Sequence, residues 1–147
     1  MNTIANSNIS SIKKKQMYND MIKAGAYIES IKTIKRAREH GSDWCNVMTI
    51  IIKNGNLEIL KYLHENGCPW DEDSCYNASE NGNLEVLKYL HENNCPWNSN
   101  SSAAASHNKQ LECLKYLHEN GCPWNKGSFQ FIMNDEEYVQ IINLSAK

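Results

Sequence analysis

Leu57-Glu-Ile-Leu-Lys-Tyr-Leu-His-Glu-Asn-Gly-Cys-Pro-Trp70 decides the fold, because the chain writes this segment three times. It returns at 84–97 and at 111–124, a shift of 27 residues each time (57 to 84 to 111), and twelve of its fourteen positions are the same in all three copies. Variation is confined to Ile59, Val86 and Cys113 at one position and Gly67, Asn94 and Gly121 at another. Self-similarity at a fixed period of this size marks a stacked-repeat architecture, in which one unit cannot bury its apolar face alone.

Fainter copies lie on both sides. Upstream, Ile31, Ile34, Gly41 and Trp44 fall where Leu57, Leu60, Gly67 and Trp70 stand after a shift of 26. Downstream, Tyr138, Ile141 and Leu144 take the three leucine positions. Terminal units of a solenoid are atypical because each has a neighbour on one side only. The expected organisation is therefore a polar, flexible N-terminal segment at 1–15 and one repeat domain at 16–147. Its units fall near 16–44, 45–70, 71–97 and 98–124, with a C-terminal cap at 125–147.

Each unit reads as two helices. Leu57, Ile59, Leu60 and Leu63 form an apolar stripe at helical spacing, with Glu58, Lys61 and Glu65 facing outward. Gly67 supplies the left-handed position that ends the helix, and Pro69 blocks its continuation. Asn94 takes the glycine's place in the next copy. A shorter helix follows the turn, with Ser74, Ser101 or Ser128 near its start and Asp71, Asn98 and Asn125 as alternative caps. Small inner residues, Ala78 and Ala105, let neighbouring helices approach closely. The pattern predicts an all-α, right-handed solenoid of helix-turn-helix pairs with edges at 16–41, 46–67, 74–94, 101–121 and 128–144.

The 147 residues suit one domain with a continuous core, and a net charge of -2 implies no general attraction to polyanions. Charge is uneven, however. Residues 1–40 hold Lys13, Lys14, Lys15, Lys23, Lys32, Lys35, Arg36 and Arg38 against Asp20, Glu29 and Glu39, a local +5 set against -7 for the remainder. The three-lysine run reads as a solvated helix start, being too short for a nucleic-acid arm or nuclear address. Met1–Ser11 is polar and lacks the apolar core of a signal peptide, and no apolar run reaches the roughly 18 residues of a membrane span. A cytoplasmic protein with six free thiols is expected, with the Asn-x-Ser triplets at Asn8, Asn100 and Asn143 unmodified.

Three constellations bear on chemistry. His64/Cys68, His91/Cys95 and His118/Cys122 repeat a His-x-x-x-Cys spacing. Zinc needs four N/S ligands around one ion, whereas stacked units lie roughly 8–10 Å apart, so one unit supplies two ligands and the next pair is too distant. No metal is expected; each His suits the end of its helix dipole, and each Cys packs as a small apolar residue. Catalysis by Cys with His is the second. Cys113 stands where Ile59 and Val86 stand, which core packing explains, and no glycine-rich phosphate loop follows a strand, so neither enzyme, small-molecule substrate nor cofactor is expected. The third, nucleic-acid binding, rests on the basic N-terminal region alone; along the repeats Glu58, Glu65, Glu85, Glu92, Glu112 and Glu119 alternate with Lys61, Lys88 and Lys115.

At this point the residues resemble ankyrin repeats. Asn-Gly-Asn-Leu-Glu-Val-Leu-Lys-Tyr-Leu at 81–90 is similar to the ankyrin second helix, usually opened by Gly-His-Leu-Glu-Val-Val. Glu-Asn-Gly-Cys-Pro-Trp-Asp at 65–71 stands where that family carries a Gly-Ala-Asp-Val-Asn turn. The family period is about 33. The residues missing here fall between Trp70 and Ser74, where ankyrins project a β-hairpin finger, so long fingers are not expected. The Cys-Pro-Trp variant resembles short repeats of giant amoebal viruses and protists. The resemblance spans residues from about 17 to 144 and implies a non-catalytic protein-binding module, a viral factor engaging a host protein in the host cytoplasm. Thr-Pro-Leu-His of typical first helices is replaced by Ser-Cys-Tyr-Asn at 74–77.

The repeats also separate frame from surface. Second helix and turn barely vary, whereas the first-helix segments at 71–80, 98–107 and 125–134 share only Ser74, Ser101 and Ser128 across all three. The candidate partner-binding residues are Glu72, Asp73, Tyr76, Asn77 and Glu80, then Ser99, Asn100, Ala103, Ala104 and His107. Tyr76 is the natural aromatic anchor. Recognition and drift on a solvated face both account for such variation. Trp70, Trp97 and Trp124, one per unit, are expected to cover the groove between helices; exposed, they would be stacking anchors. An unidentified protein partner and a monomeric state are expected. The alternatives are a nucleic-acid binder using the Lys13–Arg38 region and a structural or oligomerising unit packing through Phe129 and Phe131.

Overall fold

The computed structural model describes residues 12, 13, 16, 31–41, 44–125, 128, 136, 139, 140 and 143. Among these residues the helices are α1 (Ile31–Glu39), α2 (Trp44–Asn54), α3 (Leu57–Glu65), α4 (Glu72–Glu80), α5 (Leu84–Glu92), α6 (Ser99–His107) and α7 (Leu111–Glu119), and no strand occurs. The chain is an all-α repeat protein, as the period predicts. The pairs expected at 46–67, 74–94 and 101–121 are each described in both helices; the pair at 128–144 lies largely outside the described residues. None of the described helices is long and apolar enough to cross a membrane.

First helices start two residues earlier than the serines suggest. Asp71 has extended backbone (φ -143°, ψ -170°), and its carboxylate accepts from the Asp73 N–H at 3.1 Å. Ser74 is the third helical residue; its hydroxyl oxygen accepts from the Asp71 N–H at 3.3 Å, closing a reciprocal capping box. Asn98 caps α6 in the same way, accepting from the Asn100 N–H at 2.8 Å, and Asn125 accepts from the Ser128 N–H at 2.9 Å. The carboxylate or carboxamide wins because it reaches the orphan N–H groups of the first turn from outside the helix.

Second helices end as the sequence predicts. Gly67, Asn94 and Gly121 have φ of 79°, 61° and 76°. Each is followed by a cysteine whose N–H reaches back to a leucine carbonyl at 2.9 Å: Cys68 to Leu63, Cys95 to Leu90 and Cys122 to Leu117. The preceding N–H groups of Gly67, Asn94 and Gly121 donate to His64, His91 and His118, completing a Schellman closure.

The chain divides into two compact units, one taking residues up to Ile51 with Glu58–Pro69, the other Ile52–Leu57 with everything from Trp70. In the first, Ile34, Val47, Met48, Ile51, Ile59, Leu60 and Leu63 are buried. In the second, α4 packs on α5 and α6, α6 on α7, and α5 on α7. Its second helices bury Val86, Leu87, Leu90, Cys113, Leu114 and Leu117, each large aliphatic contributing about 1.5–3 kcal/mol. Its first helices bury mostly small residues: Ser74, Cys75, Ala78 and Ser79 beside Asn77 on α4, and Ser101, Ser102, Ala104, Ala105 and Ser106 on α6. Most of their hydroxyls find carbonyls. Ser79 donates to Cys75 at 2.7 Å, Ser102 to Pro123 at 3.1 Å, and Ser106 to Ser128.

Candidate functional site

The outer side of α4 and α6 carries the residues that differ most between units. Tyr76, Glu80, Asn100, Ala103, Ala104 and His107 line a shallow groove of about 260 Å³. Six of the ten residues chosen from sequence variation thus come together. Asn108, the C-cap of α6, joins the lining although repeat comparison stopped one residue short of it; its carboxamide donates to the Ala104 carbonyl at 2.9 Å.

Within the groove the Tyr76 hydroxyl donates to Glu80 Oε1 at 3.3 Å, one helical turn along. The negative charge of Glu80 pushes the Tyr76 phenol above its ordinary value, with partial burial, that hydrogen bond and Asp73 adding to the effect. The floor is alanine. Ala103 is half-buried and Ala104 only 5% exposed, so Ala104 offers at most a methyl to a partner.

Other expected contact residues have duties inside the chain. Asn77 is a correction to the surface set: it is 9% exposed, and its carboxamide donates to the Asp73 carbonyl at 2.8 Å while its own carbonyl accepts from the Asn81 side chain. Its amide is engaged along its own helix. Glu72 accepts from Asn98 Nδ2 at 3.0 Å, and Ser99 accepts from Asn125 Nδ2 at 3.4 Å. These two bonds are one repeat apart (72 to 99, 98 to 125) and tie successive first-helix caps together. Asp73 is exposed at the start of α4.

The constant residues of the second helices satisfy one another instead. His91 stacks on Trp97 with ring centroids 3.9 Å apart and planes at 15°. Its Nδ1 lies 2.9 Å from the Tyr116 hydroxyl of the following unit, and Trp97 meets the Tyr116 ring edge-on at 6.5 Å. Trp70 meets Tyr89 edge-on at 6.3 Å. Tryptophan here is half-buried frame, as the recurrence once per unit suggests.

His and Cys of one unit take different partners. The Cys95 thiol donates to the Asp71 carbonyl at 3.2 Å, whereas His91 meets Trp97 and Tyr116, and Cys122 donates to the Asn98 carbonyl at 3.4 Å. Among the described residues no three His, Cys, Asp or Glu side chains are placed to hold a metal ion. Cys75 and Cys95 are neighbours, a pairing that sequence inspection missed. The signal lies in the register: one repeat later, Ser102 donates to Cys122 Sγ at 3.3 Å from the matching positions. The neighbouring Cys95 side chain, followed by burial, pushes the Cys75 thiol far up, so its proton is held.

Of the basic N-terminal residues, Lys32, Lys35, Arg36 and Arg38 are exposed on α1, and Lys35 Nζ lies 5.5 Å from the centroid of the Tyr62 ring. Lys14, Lys15 and Lys23, like Phe129 and Phe131, lie outside the described residues. A family model of ankyrin repeats, in three copies, matches residues 48–128. No curated protein matches the sequence.

Proposed function

Because the chain belongs to the ankyrin-repeat family, whose repeats generally mediate protein–protein contacts, we propose that it is a non-catalytic docking module working through the outer face of α4 and α6. One observation carries this choice of face. The invariant His91, Trp97 and Tyr116 are consumed by contacts with each other, whereas six of the residues that vary between units gather around one groove. A recognition surface needs side chains released from building the frame, and those on α4 and α6 also differ from unit to unit. The finer reading, a viral factor engaging a host protein in the host cytoplasm, rests on the resemblance of the Cys-Pro-Trp turn alone.

A photo-crosslinking residue at Ala103, compared with one at exposed Glu112 on α7, tests the proposal in lysate of a candidate host cell. Protein adducts from position 103 that disappear on Tyr76→Ala support it. Adducts forming equally from both positions, or nucleic acid as the sole captured species, overturn it.

A further inference from the structure

Resting on that reading of the α4–α6 face, we propose that the groove selects a basic side chain, an arginine or lysine of the partner protein. α4 bears Glu72, Asp73 and Glu80, is capped by Asp71, and has no basic residue among its nine. Among the described residues no lysine or arginine pairs with Glu72, Asp73 or Glu80. Glu72 receives the Asn98 amide, and Glu80 receives the Tyr76 hydroxyl, a single neutral donor for a carboxylate with about four acceptor sites. No described lysine or arginine thus matches the charge on this helix, while His107 of α6 shares the groove.

The groove's shape fits the same occupant. At about 260 Å³ it lies below the roughly 300–1,000 Å³ of enclosed small-molecule sites and suits one long side chain. Ala103 and Ala104 offer methyl surface for the aliphatic stem of arginine or lysine. Half-buried Glu80 then stands ready for the cationic head, beside the half-buried Tyr76 ring. The same carboxylates push the Tyr76 phenol up, Glu80 first and Asp73 last among the causes. An acidic partner would meet like charge here; an apolar one would leave the Glu80 carboxylate desolvated without compensation.

The test titrates the full nitrogen-15-labelled chain with the blocked peptide Gly-Ser-Arg-Ser-Gly, with its neutral citrulline analogue, and with its leucine analogue. Saturable shifts of the Tyr76, Glu80 and Ala103 amides are expected with the arginine peptide, with affinity about fivefold lower for citrulline and on Glu80→Gln. Tyr76→Leu is the second variant, should Glu80→Gln fail to fold, with a similar expected loss. Equal shifts from the citrulline or leucine peptide, or none at these amides with arginine, overturn the inference. Panning a random peptide display library separates it from the docking reading. Selected peptides that occupy the groove without enriched arginine or lysine overturn the inference and leave the face standing. Selected peptides that bind elsewhere, while the arginine probe still shifts the groove, support the basic-side-chain site and remove the face as the principal docking surface.

Discussion

Asn83 Nδ2 donates to the carbonyl oxygens of Ile52 at 2.7 Å and Lys53 at 2.9 Å, near the C-terminus of a helix one unit earlier. The last carbonyls of a helix have no donor of their own, and here a side chain from the next unit supplies it. Asn83 consequently makes no capping bond to its own helix α5, although it stands at the N-cap. The next unit repeats the device with Gln110, whose Nε2 donates to the Glu80 carbonyl at 3.3 Å. Asn83→Ala is expected to cost about 1–3 kcal/mol in urea unfolding through two lost bonds, and Gln110→Ala less, having one longer bond to lose.

Gly55 backs the same contact. Its φ is 74°, and a Cβ there would meet Asn83 Oδ1 at 2.8 Å. Gly67 has φ 79° with nothing within 4 Å of its would-be Cβ, so it isolates the backbone cost of about 1–2 kcal/mol. Gly55→Ala should therefore destabilise more than Gly67→Ala. In the Asn83→Ala background the excess should vanish; persistence of the excess would locate the strain elsewhere.

Lys109 occupies the left-handed position that Gly82 occupies one unit earlier, with φ 55° against 71°. A side chain in that region is strained, whereas glycine is not. Lys109→Gly is expected to stabilise the fold by about 1 kcal/mol, read as a higher urea midpoint with an unchanged slope. No gain, or a loss, would show that the lysine side chain compensates its backbone.

Burial, then the charge of Glu112, pushes the Cys113 thiol from 9.0 up to about 11. Between these values the unfolded chain has released the proton that the folded chain retains. Stability is thus at full strength below pH 9 and falls as pH rises towards 11. Val86 fills the matching position of α5, so Cys113→Val should fold and flatten part of that decline; the raised Cys75 and Cys122 thiols keep the remainder. Urea midpoints at pH 8 and pH 10 for both proteins provide the measurement. An identical decline in the two would remove Cys113 as a contributor.

The sequence by itself determined the repeat, its 27-residue register, the leucine face of each second helix and the left-handed closures at Gly67, Asn94 and Gly121. These follow from local chemistry: apolar spacing, a residue tolerant of positive φ, and a proline that stops the helix. It identified α6 only through register, since Ser99–His107 has no apolar stripe and is held by the Asn98 cap and by packing of small residues. Tertiary structure alone decided which varied side chains share a groove, that Asn77 turns inward, that Cys75 meets Cys95, and that Asn83 serves α2 instead of its own helix. The reason is that a repeat period fixes which positions are equivalent, but not the rotation of each helix about its axis. That rotation is set when neighbouring units close-pack, and it chooses between surface and interior for the same residue type.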